Sequence, residues 1–220
     1  MSVVGCGAAM EGAMSSARIP QALRSMLLAM LVAVGAGGGA YLGESDKAQP
    51  LTPYLQAVAA DTSTSDAIKL AMVLGSYYES SFRHIGTPYV DKLGKGQPLT
   101  VCNGITGAGV VAGRYYTPAD CYKLEVGRYK EAEAFLAKSV PTYSAANVFQ
   151  QAVGLDFVHN KGAGAFSTST YRRKWVAGDT VGACRENERW NRGTVRGVSV
   201  VLPGLKIRAD ANSDLCANGL

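Results

Sequence analysis

The chain has 220 residues, of which 18% are charged and 47% are apolar, so it can bury the core of one ordinary domain. This balance excludes a largely disordered chain and a multi-span membrane protein. The net charge of +5 favours an anionic partner. Because the sequence has no basic run with interleaved aromatic residues, we expect no binding to nucleic acid.

Residues 25–43, SMLLAMLVAVGAGGGAYLG, carry no charge and predict an apolar N-terminal helix. As a helix the segment would be about 28 Å long, close to the hydrocarbon thickness of a bilayer. Arg18 and Arg24 precede it and Glu44 follows it, so residues 1–24 are expected to be a cytoplasmic tail. Glycine and alanine dominate the second half, which makes the helix a marginal resident of the membrane.

Three interpretations of this apolar segment are open. Residues 26–34 have the length of the apolar region of a cleaved signal peptide, and Gly38 and Ala40 fit the small residues of a cleavage site. The segment could instead be a permanent anchor, or an anchor that holds the exported chain in the bilayer and later releases it. All three interpretations place residues 46–220 outside the cytoplasm.

The pattern after the apolar segment predicts a linker and then a folded domain. Residues 44–64, with several Pro, Ser and Thr, are expected to be a linker that becomes ordered near its end, and residues 65–220 form the domain. A helix is expected to start at Asp66, as its cap, and to end at Glu79. Glycine and proline punctuate residues 82–105 and indicate a small antiparallel sheet with turns.

Helical patterns dominate the rest of the chain. Thr117 as N-cap and Pro118 at the first helical position predict a long helix that Pro141 ends. Another helix is expected from about Ser144, followed by short helical patterns split by glycine. One small sheet followed by a run of helices is an α+β arrangement with a mainly helical lobe.

The five cysteines contain no CxxC pair, and the chain has only two histidines, so no metal site is expected; we expect no cofactor either. Four cysteines follow the apolar segment and, in an exported domain, predict two disulfides. Proximity favours Cys102–Cys121 and Cys184–Cys216, although three pairings exist and four buried free thiols are the alternative. Cys6 precedes the segment and is expected to be a reduced cytoplasmic thiol.

Three polar side chains between Tyr78 and Gly107 suggest the chemistry of glycosidic bond hydrolysis. Glu79, at the end of a helix, would be partly buried and could act as general acid. Asp91 lies at a predicted turn and could orient a water molecule, and Thr100 offers a hydroxyl to the same water. All three are also ordinary surface residues for their positions, so composition and spacing alone do not establish an enzyme.

The sequence around these residues resembles that of phage lysozymes. The glutamate at the end of a helix is followed by Tyr89-Val90-Asp91 and then by TVCNGIT at residues 100–106. Further along, FVHNKGAGAFSTSTYRRKWVAGD at residues 157–179 and the pieces RWNRG and LPGLKIR match the same family, as does the last pair of cysteines. The gaps between the three polar residues are longer than in the usual family pattern, which fits longer turns.

By that resemblance Glu79 is the acid, Asp91 the water-orienting carboxylate and Thr100 its partner. Tyr89 is expected to bind substrate, and Asn160 is expected either to bind substrate in the sugar cleft or to cap a helix. The implied fold is lysozyme-like, and the implied activity is that of a muramidase. Such an enzyme hydrolyses the β-1,4 bond between N-acetylmuramic acid and N-acetylglucosamine in bacterial peptidoglycan. A water on the far face of the sugar implies inversion, which we favour over retention by a nucleophilic Asp91.

The resemblance also suggests when and where the enzyme acts. Glycine- and alanine-rich segments that release from the bilayer are found in phage endolysins that use the host export machinery, which favours release over cleavage. The chain is then expected in the host inner membrane, with its N-terminus inside, and in the periplasm after release. There it would act as a monomer and cause host cell lysis and phage release.

Two other functions are open. A lytic transglycosylase cuts the same bond without water and needs Glu79 but neither Asp91 nor Thr100. A module that binds the cell wall without catalysis would need none of the three.

Overall fold

A computed structural model describes residues 18–35, 49–92 and 96–220. These residues form a mainly helical body with two small antiparallel sheets. The helices are α1 Gln21–Ala33, α2 Pro53–Ala60, α3 Asp66–Ser80, α4 Pro118–Ser139, α5 Val148–Thr168, α6 Thr170–Val176, α7 Thr180–Arg185 and α8 Pro203–Asn218. The strands are β1 Tyr89–Val90, β2 Leu99–Val101 and β3 Ile105–Thr106 in one sheet, and β4 Arg192–Val195 and β5 Val198–Val201 in the other.

Helix α3 packs against α1, α2, α4 and α5 and is therefore central to the body. All of its residues from 67 to 76 are buried. The N-cap is Ser65, whose hydroxyl accepts a hydrogen bond from the Ile68 backbone N–H at 3.2 Å. The sequence predicted Asp66 as the cap; it lies one residue later, in the first turn. Glu79 lies in the last turn, where the sequence predicted it.

The chain leaves α3 abruptly and enters the first sheet. Ser81 and Phe82 have φ values of 53° and 62°, a left-handed conformation through which a right-handed helix cannot continue. In the sheet β2 is the central strand, and its Thr100 lies opposite Tyr89 of β1 and Thr106 of β3. The predicted small antiparallel sheet is confirmed.

The two longest helices begin at complete capping boxes. At α4 the Thr117 hydroxyl accepts from the Asp120 N–H, and the Asp120 carboxylate accepts from the Thr117 N–H, at 3.2 and 3.0 Å. This confirms the predicted start of the long helix. At α5 the cap is Asn147, with Gln150 as its reciprocal partner. The predicted start near Ser144 was early, because residues 143–145 form a separate 3-10 turn.

Helix α2 lies inside the segment that the sequence predicted as a linker. The Thr52 hydroxyl caps it by accepting a hydrogen bond from the Leu55 backbone N–H at 3.3 Å, and Pro53 occupies the first helical position. This is the same signature that starts α4. The folded body therefore extends N-terminal to residue 65.

The hairpin of β4 and β5 lies where the sequence predicted short helical patterns. Val195 pairs with Val198 across a two-residue turn, Arg196-Gly197. Both turn residues have positive φ, 49° and 81°, which matches the twist of a tight antiparallel hairpin.

Helix α1 packs against α3 with its apolar face. Four of its side chains belong to the hydrophobic core and have no exposed surface: Leu23, Leu27, Met30 and Leu31. The helix covers residues 25–33 of the predicted membrane segment. Residues 36–43 of that segment lie outside the described residues, as does Cys6 in the N-terminal tail. Within the described ranges, no helix has the length and apolar character to cross a membrane.

Both predicted disulfides are present. Cys102–Cys121 joins the turn after β2 to the first turn of α4, and Cys184–Cys216 joins α7 to α8. Each links segments close in sequence, with separations of 19 and 32 residues. Loops of this size are expected to stabilise the fold by about 3 kcal/mol each.

The capping box of α4 generates a stability prediction. Thr117→Ala removes the acceptor for the Asp120 N–H and should lower the free energy of unfolding by about 1 kcal/mol, measured by urea denaturation. Thr142→Ala is the matched control, because Thr142 precedes a 3-10 turn and makes no capping hydrogen bond through its side chain. Equal losses in the two variants would contradict the assigned role of the box.

Candidate active site

Glu79 is held by an arginine from the far end of the chain. Its side chain is 33% exposed, and its Oε1 atom lies 2.7 Å from Nη1 of Arg208 on α8. The two residues are 129 positions apart. The ion pair fixes the direction of the Glu79 carboxylate and leaves the second oxygen, Oε2, on the side of Gly104.

The other end of the Arg208 guanidinium contacts Asp156 on α5. Nε and Nη2 donate to the two carboxylate oxygens at 3.0 and 2.7 Å, in a bidentate arrangement. Asp156 is fully buried and also accepts from the Asn212 side chain at 2.7 Å. The Arg208 guanidinium also lies over the Tyr78 ring, 4.8 Å from its centroid.

These contacts explain the charge state of the buried arginine. Burial by itself lowers the pKa of Arg208, but the charges and hydrogen bonds of Asp156 and Glu79 outweigh it and raise the pKa well above its ordinary value. Arg208 therefore stays charged and links α3, α5 and α8 through two carboxylates.

A cleft of about 440 Å³ opens beside Glu79. One wall is the turn after β2, with Asn103 and Gly104, and the opposite wall comes from α4 and α5. The α4 and α5 residues that line it are Arg128, Glu131, Ala132, Phe135, Val158, His159, Asn160 and Ala163. These walls carry both polar and apolar side chains, which suits a sugar with polar edges and apolar faces.

The turn comes close to the Glu79 carboxylate at Gly104. A Cβ atom on Gly104 would lie 3.9 Å from Glu79 Oε2, and the φ of +81° at this position favours glycine. The backbone of the turn is therefore a near neighbour of the oxygen that faces the cleft.

Two cleft residues on α5 differ in their polar contacts. The Asn160 Oδ1 atom is buried and has no hydrogen-bond partner in the part of the chain that the structure describes. His159 stacks on Tyr129 with ring centroids 4.3 Å apart, and burial lowers the pKa of its imidazole. His159 is therefore neutral at pH 7. The Asn160 oxygen remains able to accept a hydrogen bond from a ligand.

The structure brings Glu79 and Asn160 to the same cleft but places the other predicted site residues elsewhere. Asp91 directly follows β1, and its backbone N–H donates to the Pro98 carbonyl at 3.0 Å. Thr100 is 3% exposed, and its hydroxyl donates to the same carbonyl at 3.1 Å. Tyr89 lies on β1 and is 45% exposed. Among the described residues, none of these three lines the cleft beside Glu79; residues 93–95, between Asp91 and β2, are outside the described ranges.

Sequence reasoning missed Arg208 and Asp156 as parts of the site. Asp156 lies in the apolar run VGLDFV, and a lone carboxylate in a buried helix requires a charged or hydrogen-bonding partner. That signal was present in the sequence. The identity of the partner was not, because it lies 52 residues further along the chain.

Comparison with known proteins identifies the family. The family model for phage lysozyme matches residues 84–212, which contain Asp91, Thr100, Asp156 and Arg208. The chain belongs to the phage lysozyme family. The matched part begins after Glu79, so the placement of that glutamate rests on the geometry of α3 and Arg208.

Relatives and solved structures agree with this family. The SAR-endolysin of Bacteriophage PS119 is 35% identical over 134 residues, which are 60% of this chain and 74% of that protein. The SAR-endolysin of Enterobacteria phage P21 is 33% identical, also over 134 residues, which are 60% of this chain and 74% of that protein.

Among solved structures, the active form of P1 phage endolysin Lyz matches with a TM-score of 0.61 at 19% identity, over 76% of this chain and 92% of that one. The muramidase domain of SpmX from Asticaccaulis excentricus matches with a TM-score of 0.58 at 18% identity, over 69% of this chain and 95% of that one. The fold of this phage lysozyme family member is lysozyme-like.

The two-sided ion pair of Arg208 generates a stability prediction. Arg208→Lys keeps the charge but cannot reach both carboxylates, so the free energy of unfolding should fall by about 3 kcal/mol in urea denaturation. Arg185→Lys is the control, because Arg185 pairs with Asp214 at 2.6 Å but is 40% exposed, and its loss should stay below about 1 kcal/mol. A loss at Arg208 no larger than at Arg185 would contradict the bridging role.

Proposed function

We propose that this member of the phage lysozyme family is an endolysin that hydrolyses the β-1,4 bond between N-acetylmuramic acid and N-acetylglucosamine in bacterial peptidoglycan. The observation that carries the proposal is the carboxylate of Glu79 at the wall of an open cleft, oriented by a buried arginine. The family match and the endolysin relatives support the same substrate.

In this mechanism Glu79 is the general acid. Oε1 is paired with Arg208, so Oε2, on the Gly104 side of the cleft, is the oxygen placed to donate a proton to the leaving oxygen. A water attacks the far face of the sugar with inversion of configuration. Asp91 and Thr100 are the proposed partners of that water, and to orient it they must come closer to Glu79 than in the described structure, where neither lines the cleft. Asn160, which lines the cleft, binds an N-acetyl group through its side-chain amide.

A lytic transglycosylase is the second candidate, and one observation favours it. Among the described residues, Asp91 and Thr100 do not line the cleft beside Glu79, and a transglycosylase needs neither. The two reactions differ in their products, because hydrolysis leaves a reducing sugar and transglycosylation leaves an anhydro-sugar.

The acid role predicts the effect of Glu79→Gln. The amide cannot donate the proton, so clearing of purified cell walls by the full-length chain should fall by about 10²–10⁴-fold. Glu133→Gln is the matched control, since Glu133 lies on α4 and contacts Ser65 and Tyr143 rather than the cleft. Mass spectrometry of the digest by the unmodified chain should give reducing ends. Anhydro ends would establish the transglycosylase, and clearing by Glu79→Gln at the rate of the unmodified chain would refute the catalytic assignment altogether.

We infer that the enzyme is exported through the host machinery, held in the inner membrane by residues 25–43 with its N-terminus inside, and later released to the periplasm. The relatives named SAR-endolysin support this course. The packing of α1 gives release a physical basis. The leucines that would contact lipid are the same side chains that fill the core, so α1 can occupy only one of the two places at a time.

The tether predicts the behaviour of a reporter fused after residue 43. Cell fractionation should give an uncut fusion in the membrane fraction, part of which later becomes soluble at the same mass. Val34→Arg, at the middle of residues 25–43, is the control and should abolish membrane association, because a central arginine costs about 3 kcal/mol in a spanning helix. Only a soluble, shortened product would establish a cleaved signal peptide instead.

A further inference from the structure

The turn from Cys102 to Gly104 forms the cleft wall next to Glu79, and its backbone is sharply bent. Cys102 and Gly104 have φ values of 57° and 81°. A positive φ at a non-glycine residue such as Cys102 costs free energy and persists only where surrounding contacts hold it. The contacts that hold this turn therefore also set the distance between its backbone and the Glu79 carboxylate.

One of those contacts is a buried carboxylate on α4. Glu125 is 2% exposed, and its two oxygens accept the backbone N–H and the side-chain N–H of Asn103 at 3.2 and 3.1 Å. Burial raises the pKa of Glu125, and the hydrogen bonds from Tyr54 and Asn103 oppose that rise. Glu125 makes no ion pair with any residue in the described ranges, and an unpaired buried carboxylate is costly for stability.

A second contact comes from α2. The Tyr54 hydroxyl donates to the same Glu125 oxygen that accepts from the Asn103 side chain. Tyr54 is 7% exposed and is fixed in the core between α2 and α4. The Glu125 carboxylate therefore accepts hydrogen bonds from three donors. These bonds fix its direction and link α2 to the turn.

The far side of the Asn103 amide contacts the end of α3. The Ser80 hydroxyl lies 2.8 Å from Asn103 Oδ1 and 2.9 Å from the Ser76 carbonyl. Ser80 directly follows Glu79. The Asn103 side chain thus joins the residue beside the catalytic acid to the carboxylate of Glu125.

Among the described residues, other contacts hold the two ends of the turn. The disulfide fixes Cys102 to Cys121, the Cys102 N–H donates to the Ile85 carbonyl at 2.8 Å, and Val101 pairs with Ile105 across the turn. Asn103, in the middle of the turn, is held by Glu125 and Ser80. The part of the turn that faces Glu79 therefore depends on the Asn103 contacts, of which Glu125 accepts two.

We propose that Glu125, assisted by Tyr54, is a positioning residue that holds the Asn103–Gly104 backbone against Glu79. Neither residue lines the cleft in the described structure, so neither contacts substrate. The proposal rests on the proposed glycosidase function. Because the Asn103–Gly104 wall meets the cleft beside Glu79 and the α4 and α5 wall is left in place, the loss of Glu125 acts more strongly on kcat than on KM.

The test exchanges donor and acceptor across the contact. In Glu125→Gln an NH₂ group replaces one of the two carboxylate oxygens, so one of the two Asn103 N–H groups faces a donor and its hydrogen bond is lost at constant size. The value of kcat should fall by about 10–100-fold with KM within about twofold. Adding Asn103→Asp restores an acceptor for that amide while keeping one for Ser80. The double variant should recover most of the lost kcat. Rates are measured in the full-length chain as muropeptides released from solubilised peptidoglycan, which detects hydrolysis and transglycosylation alike.

Two further variants separate positioning from simple stabilisation. Tyr54→Phe removes one of three donors and should give a smaller loss of kcat in a folded protein, and it also serves if Glu125→Gln does not fold. Glu133→Gln alters another partly buried carboxylate on α4 and should change only the urea midpoint. An unchanged kcat in Glu125→Gln would overturn the proposal. If Glu125→Gln does not fold, an unchanged kcat in Tyr54→Phe would overturn it instead. A loss of kcat in Glu125→Gln that the added Asn103→Asp does not reverse would also overturn it. Failure of the proposed function would appear separately, as full activity in Glu79→Gln.

Discussion

Arg208 carries a positive charge into the interior of the protein, where carboxylates from two other helices contact it. A buried guanidinium is tolerated only when its donors are satisfied, and here Asp156 takes two of them and Glu79 a third. Because α3, α5 and α8 must come together for this contact to form, the position of Glu79 is a property of the whole body. The Glu79 carboxylate at the open cleft is therefore oriented by Arg208 before any substrate binds.

The turn beside Glu79 follows the same physical logic with a different set of groups. There the buried carboxylate is Glu125, and neutral donors from α2 and from the turn surround it. The acid is thus oriented by an ion pair, and the turn next to it by hydrogen bonds to a lone carboxylate. Both contacts lie behind the surface that substrate would contact, so substitutions there act through geometry and not through binding.

Local signals in the sequence predicted much of this structure, and long-range contacts account for what they missed. Thr117-Pro118 specified the start of α4 because capping acts within four residues, and the position of Glu79 at a helix end followed from the same kind of pattern. The same signature at Thr52-Pro53 was hidden by the linker-like composition around it. The partnership of Arg208 with Glu79 spans 129 residues, and no local pattern encodes it. Asp91 lies in the connection between β1 and β2, and Thr100 lies on a strand of three residues, and neither stretch is long enough for periodicity to predict where a side chain lies.

The two disulfides join the first cysteine after the apolar segment to the second, and the third to the fourth. The loops neither overlap nor enclose one another. In the proposed export, residues 44–220 cross the membrane in chain order, so each loop can close before the next cysteine arrives. The native pairing is then also the first pairing that export makes available.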